Sequence, residues 1–328
     1  MAESPAKKAR MNGGSAGVAK VRSARLMTAI KTPYKQDGDI DMPAFDRLVE
    51  HQVANGVEAL IVGGTTGEGH LFSWDEHLML IAHVKARFGD KLLIVGNTGT
   101  NHTGEMVYAT KKGFAAGMDC SLLINPYYGK TSRSGIIMHI QHAMELGPAI
   151  IYNVPGRTGQ DIPPDVIFEL SAHRNFVGVK ECMGNERIKQ LSDKGVACWS
   201  GNDDQCFEAR HDAGAVGVIS VTSNVVPALF RTLMHEPRAK GEKLNEELGP
   251  LYKWLFAEPN PIGVNTMLMM LGACEPVFRL PYTFRPKEAR EEGATLLKKI
   301  GLSHCPAFGA KGLQVLADSD FKYVLGGE

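Results

Sequence analysis

The chain has 328 residues, 44% of them hydrophobic, and its 36 acidic residues balance its 36 basic residues. Because both signs of charge are interspersed, the sequence argues against nucleic acid or an anionic membrane surface as a partner. No apolar run reaches the roughly 18 to 20 residues that a membrane span requires. The composition suits a small neutral or zwitterionic ligand.

The cysteines and histidines predict no metal site. The six cysteines include no CxxC pair and lack the spacing of a disulfide framework, so we expect reduced thiols. The eleven histidines include no HExxH motif. His139 and His142 fall on a predicted amphipathic helix, where we expect them at the surface rather than at a metal.

The first 25 residues are rich in Ala, Ser, Gly, Lys and Arg, and Glu3 is their only acid. Such a composition is typical of a disordered tail or the remains of a transit peptide. Residues added for expression would look the same. We therefore expect residues 1–25 to lie outside the folded domains.

From Leu26 onward, short apolar runs alternate with segments of helical periodicity. The runs are LMTAI (26–30), VEALIVG (57–63), KLLIVGN (91–97), DCSLLIN (119–125), PAIIYNV (148–154), NFVGVKE (175–181), GVACWSG (195–201) and AVGVISV (215–221). Eight strand–helix repeats, with strands too apolar to face water, predict an α/β fold, a (β/α)8 TIM barrel over residues 26–234.

The remainder of the chain is predicted to be helical. Strand-like runs stop after about residue 222, and helical stretches follow at 240–257, 261–273 and 286–300. The proline-rich AEPNPIG (257–263) interrupts them, because proline removes a backbone donor and disfavours helix before it. We therefore predict a helical C-terminal domain over residues 235–328.

A barrel of this kind carries its chemistry at the carboxyl ends of its strands, and strand six ends in Lys180. Alternation places Phe176, Gly178 and Lys180 on one face, where Gly178 would leave room below the lysine stem. Inside a barrel mouth, poor solvation would lower the pKa of the amine and make it a nucleophile for a carbonyl group. A lysine that pairs with a neighbouring carboxylate is the alternative.

The loop GGTTGEG (63–69) follows strand two. It lacks the Lys and Ser/Thr that complete a nucleotide-phosphate loop. Its backbone amides and the hydroxyls of Thr65 and Thr66 suit a small carboxylate, and a capped strand-to-helix turn is the alternative.

Tyrosines and an arginine follow strands four and five. Tyr128 and Tyr152 could pass protons together with Thr66, and Arg157 offers a rigid fork for a second carboxylate. Ordinary core tyrosines and a surface ion pair remain the alternatives.

The motifs GGTTGEG, NPYYGKT, YNVPGRTG, GVKE and SGNDD followed by GVISV resemble, in order and spacing, the dihydrodipicolinate synthase family over about residues 26 to 300. The stretch FSWDEH around Trp74 is similar to the plant and green-algal branch. The resemblance implies a barrel enzyme that condenses pyruvate with L-aspartate 4-semialdehyde in the first committed step of lysine biosynthesis. It also implies a homotetramer, built as a dimer of dimers, in the chloroplast.

The resemblance assigns the catalytic roles. Lys180 forms the imine with pyruvate, while Thr66, Tyr152 and Tyr128 form a proton relay in which Tyr128 comes from the interface region of a neighbouring subunit. No cofactor is implied, because the imine itself delocalises the carbanion.

The resemblance also assigns the binding residues. Thr65 and Thr66 hold the pyruvate carboxylate, Arg157 receives the semialdehyde carboxylate, and Gly201 and Ile219 line the pyruvate pocket.

Feedback inhibition by L-lysine across a subunit interface is a further property that the resemblance implies. The matching positions are Trp74, His77, Asn101, Glu105 and Tyr127, with His70 nearby. Glu105 would pair with the α-amine of the ligand, and Trp74 would cover its aliphatic stem. Ordinary helix packing is the alternative for Trp74 and His77.

Two rival functions remain. N-acetylneuraminate lyase and 2-keto-3-deoxy-gluconate aldolases share the scaffold and the lysine, but a polyhydroxylated substrate would prefer neutral donors to the fork of Arg157. A noncatalytic metabolite sensor is the other rival, although every expected catalytic position is filled.

Overall fold

A computed structural model describes residues 16–306 and 312–326 of the chain. Eight strands close into a barrel in chain order, and the pairs from β2 to β8 are parallel. They are β1 (Leu26–Ala29), β2 (Ala59–Val62), β3 (Leu93–Asn97), β4 (Cys120–Ile124), β5 (Ala149–Asn153), β6 (Phe176–Glu181), β7 (Cys198–Ser200) and β8 (Gly217–Ser220). Each strand lies within one of the eight predicted runs, so the predicted barrel is confirmed.

Helices connect the strands, as the alternating pattern predicts. They are Met42–Ala54, Trp74–Phe88, Thr103–Ala115, Arg133–Met144, Pro155–Thr158, Pro164–Ser171, Asn185–Ser192, Cys206–His211 and Pro227–His235. Capping residues start several of them: Asp41 accepts a hydrogen bond from the Ala44 amide, and Ser132 accepts one from the Gly135 amide. Such caps satisfy backbone donors that the first helical turn leaves unpaired.

The outward faces of the strands pack against these helices. Leu123, Ile151 and Val179 on successive strands join Ile140 and Val166 of the surrounding helices in one buried apolar cluster. Because side chains alternate along a strand, the neighbours of these residues face the barrel interior. This apolar layer therefore fixes which side chains reach the interior.

The C-terminal part is helical as predicted, with helices Arg238–Phe256, Ile262–Met270 and Lys287–Ile300. The prediction that strands stop after residue 222 is wrong, because β9 (Val277–Arg279) and β10 (Lys322–Val324) form a parallel pair. Three-residue strands are too short to show a period-two pattern in the sequence.

The described chain divides into two compact units. One comprises the described residues up to Arg25, together with Ala59–Val62 and Trp74–Ile219. The other comprises Leu26–Glu58, Gly63–Ser73 and the described residues from Ser220 onward. The predicted division of the chain at residues 234 and 235 stays a prediction.

Part of the predicted tail is folded. Residues 16–22 are helical, Val21 is buried, and Arg22 donates hydrogen bonds to the carbonyl oxygens of Val177 at 2.7 Å and Phe176 at 2.8 Å. The prediction of a disordered tail is therefore wrong for residues 16–25, where apolar side chains recur at helical spacing. Residues 1–15 of that predicted tail lie outside the described residues.

Within the described ranges, no helix is both long enough and apolar enough to cross a bilayer.

Candidate active site

Lys180 lies near the carboxyl end of β6 and is only 7% exposed. Its neighbour Val179 belongs to the apolar layer outside the barrel, so alternation directs Lys180 to the interior. Lys180 is paired in register with Tyr152 of β5, and its Nζ lies 4.4 Å from the centroid of the Tyr152 ring. The predicted imine-forming lysine and one predicted relay tyrosine are thus adjacent.

The surroundings of Lys180 favour its neutral form. Burial lowers the pKa of the ammonium below its ordinary value, and the positive charge of Arg157 lowers it further. Asp203 and Cys182 act in the opposite direction. Cys182 stays a neutral thiol at pH 7, because burial raises its pKa to about 11. The neutral, nucleophilic form of this amine is therefore more accessible than it is for a solvated lysine.

Trp199 fills the interior beside Lys180. The two residues are register partners on β7 and β6, and the fully buried indole donates a hydrogen bond to the Ala24 carbonyl oxygen at 2.7 Å. A Cβ on Gly178 would lie 2.8 Å from the Trp199 ring. The space at Gly178 is therefore taken by Trp199, and the expectation that it leaves room for the lysine stem is wrong. The indole is itself fully buried and fills this part of the interior.

Gly201, by contrast, lies against the lysine stem. A Cβ at this position would lie 2.3 Å from the Cys182 Sγ and 3.1 Å from the Lys180 Cε. A side chain there would press on the lysine stem, and the role of Gly201 in lining the pyruvate pocket stays a prediction. Ile219, the other predicted lining residue, is fully buried on β8.

A buried polar network holds the ends of β5 and β6 together on their outer side. The Asn153 Nδ2 donates to both carboxylate oxygens of Glu181, at 3.0 and 3.1 Å, and to Asp161 at 2.7 Å. Asn153 and Glu181 are register partners and directly follow the register partners Tyr152 and Lys180. The network therefore fixes the pairing that keeps the tyrosine beside the lysine. Sequence reasoning missed both residues, although a polar residue next to each predicted catalytic residue was a visible signal.

The loop that follows β2 carries Thr65 and Thr66, and Thr66 is 2% exposed. Glu68 in the same loop has a left-handed φ of 59°, which is unfavourable for a residue with a side chain. Its Oε1 accepts hydrogen bonds from the Lys31 Nζ and the Asn265 Nδ2, each at 2.6 Å. A fully buried ion pair therefore holds the loop in this conformation.

Asn260 contacts the loop directly. Its Nδ2 donates to the Thr66 Oγ1 at 3.1 Å. Sequence reasoning missed Lys31, Asn260 and Asn265, because no local pattern marks partners that lie so far apart in the chain.

Two predicted residues have exposed side chains. Tyr128 is 97% exposed and has a left-handed φ of 67°. Arg157 lies in the short helix Pro155–Thr158 that follows β5 and is an exposed residue. Arg157 is near enough to Lys180 to affect its pKa, whereas Tyr128 projects into solvent rather than into the interior of its own chain.

The predicted lysine-binding residues form several contacts. Trp74 and His77 stack with ring centroids 5.5 Å apart and an interplanar angle of 14°. Burial lowers the pKa of His77 to about 4, so its imidazole is neutral at pH 7. Elsewhere, the Asn101 Nδ2 donates to the Tyr127 carbonyl oxygen at 3.3 Å.

Glu105 is exposed in the first turn of the helix Thr103–Ala115. His70 makes a different contact, because its Nε2 lies 2.8 Å from the Tyr282 hydroxyl oxygen in the C-terminal part.

The expectation that His139 and His142 are both surface residues is wrong for one of them. His142 is exposed, but His139 is 5% exposed and its Nδ1 lies 2.8 Å from the Thr103 Oγ1. His139 falls on the apolar face of its helix, one turn after Ile136, and this spacing was visible in the sequence. In the described part of the chain, no cluster of three or more His, Cys, Asp or Glu side chains could hold a metal ion.

Barrels of this kind carry their catalytic residues at the carboxyl ends of the strands, and a buried lysine with a lowered pKa lies there in this chain. These features define the class of the protein as a (β/α)8 barrel enzyme. The dihydrodipicolinate synthetase family model matches residues 22–300. The chain is 57% identical over 301 residues to 4-hydroxy-tetrahydrodipicolinate synthase 1, chloroplastic, of Arabidopsis thaliana, which covers 92% of this chain and 81% of that protein.

Solved structures are similar as well. The chloride-inhibited dihydrodipicolinate synthase of Acinetobacter baumannii complexed with pyruvate has a TM-score of 0.81 at 33% identity, covering 85% of this chain and 99% of that chain. The enzyme of Cyanidioschyzon merolae with lysine bound has a TM-score of 0.81 at 29% identity, covering 86% and 99%.

The chain therefore belongs to the dihydrodipicolinate synthetase family. Membership confirms the predicted lyase of lysine biosynthesis. Plant relatives named chloroplastic are 54–57% identical to it, which confirms the expected chloroplast location.

The buried His77 predicts a specific pH dependence of stability. Its folded pKa of about 4 lies below the value of about 6.5 in an unfolded chain, so the unfolded state binds the proton more tightly. The contribution of His77 is therefore fully present above pH 6.5 and is lost as the pH falls towards 4. We expect that acidification from pH 8 to pH 5 lowers the free energy of unfolding by about 2 kcal/mol through His77.

Denaturant unfolding of the wild type and of His77→Gln at both pH values measures this difference. The variant should lose less stability on acidification, whereas His142→Gln, at an exposed position, should behave like the wild type. An equal loss in the wild type and His77→Gln would contradict the assignment.

Proposed function

We propose that this chain condenses pyruvate with L-aspartate 4-semialdehyde through an imine on Lys180, giving 4-hydroxy-tetrahydrodipicolinate. The observation that carries the proposal is the buried amine of Lys180, whose pKa is lowered by burial, at the mouth end of a barrel strand. Family membership supports the same chemistry, and a similar structure is complexed with pyruvate.

The neutral Nζ of Lys180 attacks the ketone carbon of pyruvate, and loss of water gives a protonated imine. The imine withdraws electrons, so a methyl proton leaves and an enamine forms. The enamine carbon then attacks the aldehyde carbon of the semialdehyde, whose oxygen takes up a proton. Finally the amine of the bound semialdehyde attacks the imine carbon, releases Lys180 and closes the ring. The imine itself takes up the electrons when the methyl proton leaves, so we propose that no cofactor takes part.

The remaining roles follow the family pattern. Thr65 and Thr66 hold the pyruvate carboxylate, and Thr66, Tyr152 and Tyr128 transfer the protons that each imine step requires. The position of Tyr152 at the amine of Lys180 supports its share of this task. Gly201 and Ile219 line the pyruvate pocket.

Arg157 receives the semialdehyde carboxylate in this proposal. Its positive charge is close enough to Lys180 to lower the pKa of the amine, so it can serve the same site. Its fork geometry suits a short acid better than a polyhydroxylated sugar acid.

We also propose a homotetramer, assembled as a dimer of dimers, in which Tyr128 completes the site of a neighbouring subunit. A large aromatic side chain that is 97% exposed, on a left-handed backbone that costs about 1 to 2 kcal/mol, supports a function outside its own chain.

Inhibition by L-lysine is the last part of the proposal. L-lysine would bind at Trp74, His77, Asn101, Glu105 and Tyr127, with His70 nearby. The neutral imidazole of His77 would not repel the cationic ligand, and the exposed carboxylate of Glu105 would attract it. The lysine-bound Cyanidioschyzon merolae structure supports this function.

Trapping with borohydride tests the imine. Incubation with pyruvate and borohydride should add one reduced pyruvyl group per wild-type chain, and peptide mapping should locate it on Lys180. Lys31 is an internal control that should gain no pyruvyl group, because it is also buried and its Nζ forms an ion pair with Glu68 at 2.6 Å. Lys180→Ala should remain folded, lose the adduct, and lose turnover on the order of 1,000-fold or more.

The exposed Lys194→Ala is the matched variant and should keep both properties. If the wild type forms no adduct, the hypothesis of a noncatalytic metabolite sensor is favoured. If it turns over N-acetylneuraminate instead of the semialdehyde, the aldolase hypothesis is favoured.

Steady-state kinetics test the role of Arg157. Arg157→Ala should raise the KM for the semialdehyde roughly 10- to 100-fold, because a charge-assisted hydrogen bond to its carboxylate is lost. Pyruvyl trapping should change much less. Arg133→Ala, which removes another exposed arginine, is the control. Equal losses in semialdehyde use and pyruvate trapping would contradict this role.

A further inference from the structure

The segment AEPNPIG (257–263), which the sequence marks only as a helix break, reaches the loop that carries Thr66. Asn260 in this segment is 8% exposed, and its Nδ2 donates to the Thr66 Oγ1 at 3.1 Å across 194 positions of sequence. None of the roles described above accounts for a buried amide at this hydroxyl.

A second amide of the same part of the chain shows that the contact belongs to a fixed arrangement. Asn265, in the helix Ile262–Met270, is fully buried and donates to the Glu68 Oε1 at 2.6 Å, two residues beyond Thr66. Lys31 holds the same carboxylate oxygen. The C-terminal segment therefore fixes the loop at two points.

The loop backbone has little freedom. A Cβ on Gly67 would lie 2.7 Å from the Ile30 carbonyl oxygen, and one on Gly69 would lie 1.9 Å from the Gly63 carbonyl oxygen. With the backbone confined and Thr66 buried, the main freedom left at Thr66 is the direction of its hydroxyl proton.

Asn260 restricts that direction. A hydroxyl group has one proton and two lone pairs, and an amide N–H can only donate. The Nδ2 of Asn260 therefore occupies a lone pair of the Thr66 oxygen, and the Thr66 proton must point elsewhere. We propose that Asn260 is a positioning residue that sets Thr66 as a proton donor in imine chemistry, an inference that rests on the proposed function.

A double-mutant cycle tests this inference through the exchange of pyruvate methyl protons with deuterium from the solvent, which reports enamine formation. Asn260→Ala should slow exchange roughly 2- to 12-fold, the range that corresponds to one neutral hydrogen bond. In a Thr66→Val background, which has no hydroxyl to orient, the same change should have almost no further effect. If the fold-losses from Asn260→Ala and Thr66→Val multiply in the double variant, the inference is overturned.

Asn260→Asp provides a second variant of the same shape, which carries the test if Asn260→Ala fails to fold. An ionised carboxylate only accepts hydrogen bonds, so it would draw the Thr66 proton towards itself. Relative to the wild type, exchange should therefore fall as the pH rises and the introduced carboxyl group ionises. A rate ratio that is constant with pH would overturn the inference.

Asn175→Ala is the matched control for general destabilisation. Asn175 is 5% exposed and its Nδ2 donates to the Met144 carbonyl oxygen at 2.7 Å, before the start of β6. Its effect on exchange, if any, should multiply with that of Thr66→Val. If the wild type exchanges the protons and the losses from Asn260→Ala and Thr66→Val multiply, this inference alone is rejected. Absence of both exchange and the pyruvyl adduct in the wild type would reject the proposed function and this inference with it.

Discussion

The removal of the Lys180 amine from water is the physical constraint on which the function depends. An ammonium ion loses hydration when it is buried, and this loss lowers the pKa of Lys180 although Cys182 and Asp203 act in the opposite direction. The barrel makes this state possible, because the apolar layer around Val179 directs the side chain inward. The fully buried Trp199 indole, on the register partner of Lys180 in the next strand, fills part of the same interior. Lys31 shows the contrast, since an equally buried lysine with a carboxylate at 2.6 Å is a structural ion pair.

The arrangement around this amine consists of backbone register and small residues as much as of catalytic groups. Asn153 and Glu181 hold two strand ends in the register that places Tyr152 beside Lys180. Gly201 leaves the lysine stem the space that any side chain would fill. Reactivity thus depends on residues that take no part in bond making.

The sequence predicted the features that arise from local pattern. Buried parallel strands read as apolar runs, so all eight were found, and alternation along NFVGVKE placed Lys180 correctly. It could not reveal partners distant in the chain, such as Asn260 at Thr66 or Asn265 at Glu68. Residues 16–25 were misread because composition outweighed the spacing of a few apolar residues. The short strands β9 and β10 gave no periodic signal, and the substrate and inhibitor roles came from family resemblance rather than from geometry.

Competitive acetylation with a trace reagent, read residue by residue by mass spectrometry between pH 6 and pH 11, tests the central claim most directly. The reactivity of each amine titrates with its own pKa, and the exposed Lys194 provides the reference in the same sample. Lys180 should titrate at a clearly lower pH than Lys194. Titration of Lys180 at the same pH as Lys194, or at a higher one, would contradict it.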